Sequence, residues 1–170
     1  MSALPRSETA RHGPQVRPMD TTHADAVAFI EAASYAFPWS RGNFIDSLAA
    51  GYLAEVMLDD AGRVIGYYVA MSVVDELHLL NITIAPAHQG RGHARHLLDR
   101  LMRHARALGA LSVWLEVRES NGRARAIYER YGFGVLGRRP GYYPAHDGRE
   151  DALLMSIAVA AAPGGDDGVD

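Results

Sequence analysis

Neither cysteine nor lysine occurs among the 170 residues; all seventeen basic positions are arginine. Without a thiol the chain has no cysteine nucleophile, no disulfide and no thiolate metal centre. Without lysine it has no Schiff-base amine and no Walker-type phosphate loop, which places a Lys beside its Gly. Long apolar runs are also missing: nothing approaches the ~20 residues of a membrane helix, and the first residues, MSALPRSETARHGPQ, lack the apolar centre of a signal peptide. A formal net charge of −3 gives no global basic field, so neither nucleic acid nor membrane is an expected partner. The composition, 48% apolar and 22% charged, is that of one globular domain with its own core. The chain reads as cytoplasmic.

What is present has a clear order. Residues 1–15 and 160–170 show no periodicity and are expected to be disordered tails around one domain at 16–159. Residues 16–19 read as a short strand. Thr22 with Asp25 offers a capping box for a helix to about residue 36, and Ser40, after the helix-breaking Pro38, is an N-cap for a second helix through Leu48. Residues 52–84 hold three apolar runs separated by Asp-Asp-Ala-Gly and Asp-Glu, which predicts three antiparallel strands. Beyond Pro86 the period becomes helical: Ala94, Leu97, Leu98, Leu101, Met102, Ala105 and Leu108 share one face. A strand at 111–117, a helix capped by Ser120 or Asn121 and running to Tyr131, and strands near 133–138 and 152–159 complete a mixed α/β sheet. In open sheets of this kind ligands bind beyond the carboxyl ends of central strands, here residues 82–94 and 116–121.

Three features carry chemistry. The turn Gln89-Gly90-Arg91-Gly92-His93-Ala94 opens a helix, and its small residues let backbone N–H groups approach an anion. A dinucleotide fold is the rival reading, but Arg95 stands at its third glycine position and three antiparallel strands precede the turn. Glu116 closes the strand LSVWLEV on the face of Ser112 and Trp114, suited to a general base, to a solvated strand end or to an ion pair with Arg118 or Arg123. Tyr128 lies seven residues after Asn121, nearly two helical turns and about 10 Å along the same face. It is either a core tyrosine or a phenol able to protonate a leaving group. His88, His93 and His96 have no Cys or carboxylate to complete a ligand set, so no metal is expected.

Together with YAFPWS at 35–40, WLEVRESN at 114–121, AIYERYGF at 126–133 and YYPAHDGREDALLM at 142–155, the glycine turn resembles the GNAT superfamily of N-acetyltransferases. Within it, the pattern is similar to the bacterial branch that modifies the N-terminal alanine of a ribosomal protein, and the likeness spans roughly residues 16–158. The resemblance implies a GNAT-like mixed, largely antiparallel twisted sheet flanked by helices in a single domain, with acetyl-CoA as co-substrate. It implies that backbone groups of Ile82, Thr83 and Ile84 pair with the pantetheine arm. Gly90, Arg91, Gly92, His93, Ala94 and Arg95 would cradle the pyrophosphate, with Asn121 also touching the cofactor. Glu116 matches the family's base and Tyr128 its acid, acting in direct transfer within a ternary complex. The implied partner is the N-terminal peptide of a small-subunit ribosomal protein, contacted by residues 35–39 and by the hairpin carrying Tyr142, Tyr143, Asp147, Glu150 and Asp151. A lysine side chain or small amine as acceptor, or a non-catalytic acyl-CoA-binding module, are the competing readings.

Overall fold

Residues 13–160 are described in the computed structural model, so most of both expected tails lies outside the described residues. The elements run β1 (Gln15–Pro18), α1 (Ala24–Ser34), α2 (Arg41–Ala49), β2 (Leu53–Leu58), β3 (Val64–Val73), β4 (Glu76–Ile84), α3 (His93–Ala107), β5 (Ser112–Arg118), α4 (Gly122–Tyr131), β6 (Gly134–Ala145) and β7 (Gly148–Ala158). They form one seven-stranded sheet in the order β1-β2-β3-β4-β5-β7-β6. Every neighbouring pair is antiparallel except β4 with β5.

The central strands are apolar at almost every position because both of their faces are covered. Ala54, Val56, Leu58, Tyr67 and Val69 pack with Val27, Ile30 and Phe44 of α1 and α2. Their neighbours Met57, Tyr68 and Ala70 turn the other way, onto Leu97, Leu98 and Leu101 of α3. At ~25 cal/mol per Å² of apolar surface removed from water, these two clusters are the main stabilising term.

Two local expectations are corrected. The first capping box is built by Asp20 and His23 around a 3-10 turn at Thr21–His23, not by Thr22 and Asp25; Asp20 is the residue with extended backbone, the conformation an N-cap needs. The last two strands are longer than the sequence pattern suggests: β6 reaches Ala145 and β7 starts at Gly148. Their pairing shifts register between Arg139 and Tyr143, and such an irregularity hides the two-residue alternation that marks a strand. Ser40 caps α2 as expected, accepting from the Asn43 N–H at 3.1 Å.

Candidate active site

The site begins where β4 and β5 part. Their parallel pairing runs from Glu76↔Ser112 to Leu79↔Leu115 and stops. On the other side of β4, Val69 faces Asn81 while Ala70 faces Leu79, which leaves Leu80 as an extra, bulged residue. A bulge bends its strand and resets which face each later side chain takes. Leu77 and Leu79 therefore join Ile84 in the α3-side core, while Asn81 and Thr83 turn toward α1.

The bend frees backbone groups. Because the Ala85 N–H donates to the Ile65 carbonyl at 2.8 Å, the antiparallel alternation directs the amides of Ile84 and Ile82 away from β3 and into the gap. Thr83 spends its own backbone on Tyr67 across the ladder, so of these three residues Ile82 and Ile84 turn backbone groups into the gap. Thr83 contributes its hydroxyl instead, 2.8 Å from that of Tyr35. The outward carbonyls already have partners: Tyr35 Oη donates to Ile82 O at 3.3 Å and Gln89 Nε2 to Ile84 O at 3.1 Å.

Just beyond lies the glycine turn. Gly90 and Gly92 take φ of 77° and 80°, a left-handed conformation costly for other residues. A Cβ at either position would meet no atom within 4 Å, so the space above the turn is open. No side chain caps the start of α3; its first N–H groups remain available to an anion, and the helix dipole adds positive potential there. Burial lowers the His93 pKa, with a smaller contribution from His88, Arg91 and His96 nearby. The residues fit the pyrophosphate of acetyl-CoA.

A cleft of about 1820 Å³ joins these parts. Ile82, Thr83, Ile84, Gly90, Gly92, His93, Ala94, Arg95, Glu116, Asn121 and Tyr128 all line it; the exposed Arg91 does not. Asn121 caps α4 with its side-chain oxygen, which accepts from the Ala124 N–H at 3.2 Å. Among the described residues no cluster of three His, Asp or Glu side chains is arranged to hold a metal, and no helix is long and apolar enough to cross a membrane.

Glu116 leaves β5 opposite the buried Val113, Leu115 and Val117. Its ion-pair partner is Arg139, Nε to Oε1 3.2 Å, rather than Arg118 or Arg123. Tyr128 packs edge-on to Phe133 at 5.8 Å between ring centres, and its hydroxyl has no hydrogen bond to the described residues. Burial raises the Tyr128 phenol well above the usual tyrosine range, with Tyr35 and Tyr143 adding to it. Tyr143 is pushed up to about 12, first by burial and then by the Glu116 charge. These three tyrosines and Glu116 thus surround one end of the cleft.

A buried polar network missed in the sequence stands behind it. Glu31, only 2% exposed, accepts from Tyr67 Oη at 2.5 Å, Asn81 Nδ2 at 3.0 Å and the Trp39 N–H at 3.1 Å. Asn81 Oδ1 in turn accepts from Thr83 Oγ1 at 3.0 Å, which links α1 to Tyr35 and the gap. The available signal was a carboxylate on the otherwise buried stripe of Val27 and Ile30. Two acids of the hairpin expected to contact the acceptor are already paired: Glu150 by Arg118 and Asp151 by Arg138 and the Gly141 N–H.

The model of the family described as Acetyltransferase (GNAT) matches residues 23–133. The ribosomal protein bS18-alanine N-acetyltransferase of Escherichia coli (strain K12) is 37% identical over 142 residues, covering 84% of this chain and 95% of that protein. The enzyme of the same description from Haemophilus influenzae is 38% identical over 128 residues, 75% of this chain and 86% of its own length. Among solved structures, the ribosomal-protein-S18-alanine N-acetyltransferase from Escherichia coli superposes with a TM-score of 0.80 at 35% identity, covering 91% of this chain and 97% of that one.

Proposed function

Because the chain belongs to the acetyltransferase (GNAT) family, we propose that it moves the acetyl group of acetyl-CoA to the N-terminal alanine of ribosomal protein bS18. The observation that carries this reading is the opened β4–β5 gap, which runs from the glycine turn to Glu116 and Tyr128 in one cleft. The choice of acceptor is supported by relatives whose described activity is that modification.

The chain's own residues divide the work. Gly90 to Arg95 hold the pyrophosphate, and the outward amides of Ile82 and Ile84 align the pantetheine arm. The Ile84 N–H stabilises negative charge on the thioester oxygen as the acceptor's neutral amine attacks its carbon. Glu116 takes the proton that the amine loses, directly or through a water, and Tyr128 gives its proton to the departing sulfur. With no cysteine in the chain, transfer is direct, within a ternary complex.

Proton energetics favour a chain end as acceptor. An α-amino group has a pKa of about 7.7–8.0 and lysine about 10.4, so neutralising them at pH 7 costs roughly 1 and roughly 4.6 kcal/mol. One carboxylate relay suffices for the first. Purified ribosomal proteins incubated with acetyl-CoA and this protein, then analysed by mass spectrometry, should gain one acetyl group at the N-terminal alanine of bS18. Acetylation confined to lysine side chains would overturn the assignment.

A further inference from the structure

Arg118 is gripped by both segments that flank the acceptor end of the cleft. It follows Glu116 by two positions on β5, so the two side chains leave the same face. Its guanidinium carbon lies 5.2 Å from the ring centre of Phe37, in the 35–40 segment, and 4.5 Å from that of Tyr143, in the β6–β7 hairpin. In its own plane, Nη1 donates to the Pro144 carbonyl at 2.7 Å and to Glu150 Oε1 at 2.8 Å. Farther out, Phe37 meets the His146 ring at 5.5 Å. Arginine suits this place because its flat, delocalised cation stacks on aromatic faces while its edge donates in a fixed fork, which a lysine ammonium cannot reproduce.

We propose that Arg118 is a positioning residue that fixes the spacing of Phe37 and Tyr143, the two walls of the acceptor groove, and thereby sets affinity for the acceptor peptide. This rests on the reading of those segments as the acceptor site. Glu150 neutralises the guanidinium, so Arg118 acts by holding the walls and not by offering a free charge to the peptide. No proton moves to or from it. A groove fixed from both sides selects by shape which chain ends reach Glu116.

The test is steady-state kinetics of the full chain with a synthetic peptide bearing an N-terminal alanine. Arg118→Met should raise the peptide KM about tenfold or more, leaving kcat at saturating peptide and the acetyl-CoA KM within about twofold. Arg118→Lys, which keeps the charge but loses the planar fork, should recover only part of the loss. Phe37→Leu, at an exposed loop position, should raise the same KM, and the double variant should be no worse than the poorer single one. Unchanged peptide KM, multiplicative losses, or a parallel fall in kcat, donor binding and Tm would overturn the proposal. A wild-type protein active on the peptide with an indifferent Arg118 sinks this inference alone; one inert on every N-terminal peptide sinks the acceptor reading with it.

Discussion

Glu116 and Tyr128 reach one cleft from opposite faces of the sheet. The carboxylate leaves β5 on the face of Ser112 and Trp114, whereas the phenol belongs to the core between the sheet, α3 and α4. They line a common space because β4 has bent away from β5 beyond Leu79 and Leu115. In the proposed reaction this placement has Glu116 face the acceptor and Tyr128 face the donor's sulfur. Glu116→Gln should lower kcat about 10²-fold or more near neutral pH, with acetyl-CoA affinity by calorimetry nearly unchanged. Wild-type turnover across the pH range would remove Glu116 from the base role.

Tyr128 should act as an acid over an unusually wide range. Burial, then Tyr35 and Tyr143, raise its pKa, so the protonated, donating form persists above the ordinary phenol value of about 10. The kcat/KM profile should climb as the acceptor amine loses its proton near pH 8 and then stay level past about pH 10. Tyr128→Phe should lower the plateau about 10²-fold while leaving the climb in place. A wild-type profile that falls near pH 10, with the fall absent from Tyr128→Phe, would contradict the raised value.

Much of this arrangement was legible in the sequence, and what was not has a physical cause. The helical face from Ala94 to Ala105 and the alternation around Glu116 follow from periodicity alone, whereas Leu108, expected on that face, is the exposed residue that follows the helix. The β4 bulge does not, although the adjacent Leu79 and Leu80 in LHLLNITIA mark where the alternation slips. The partner of Glu116 was mistaken because Arg139 arrives from β6 across the β7 neighbour, a pairing decided by sheet order rather than by nearness in sequence. The role of Glu31 does not follow from the sequence, since only the tertiary fold brings Tyr67 and Asn81 to it.

The glycine turn should separate donor binding from folding. Gly92 has φ near 80° and open space where a side chain would project, so Gly92→Ala meets no clash but costs about 1–2 kcal/mol in the left-handed region. Any relaxation of that strain tilts the first N–H groups of α3 away from their common focus. The acetyl-CoA Kd should rise about tenfold or more, measured by calorimetry, with peptide KM little changed once donor saturates. An unaltered donor Kd would take this turn out of the pyrophosphate cradle.

Glu55 ties β2 to α3 outside the lining of the cleft, and its charge should make stability depend on pH. The carboxylate, 2% exposed, accepts from Arg100 Nη2 at 2.5 Å and Tyr68 Oη at 2.6 Å, with His104 Nε2 at 3.1 Å. Burial alone would raise its pKa, but the bonds from Arg100 and Tyr68 outweigh it and the net shift is downward. A lowered folded value means that the pairing stabilises the fold above the unfolded glutamate pKa of about 4.3 and fades as pH falls through the folded one. Arg100→Met removes the largest opposing bond, so the downward shift of the carboxyl shrinks and the variant gains less stability than the wild type as pH rises. In urea unfolding Arg100→Met should cost about 2–3 kcal/mol at pH 7, near the low end for a broken buried pair because Arg100 is 29% exposed. The deficit should shrink toward pH 4, and an equal deficit at both pH values would show that lost packing, not charge, is what Arg100 supplies.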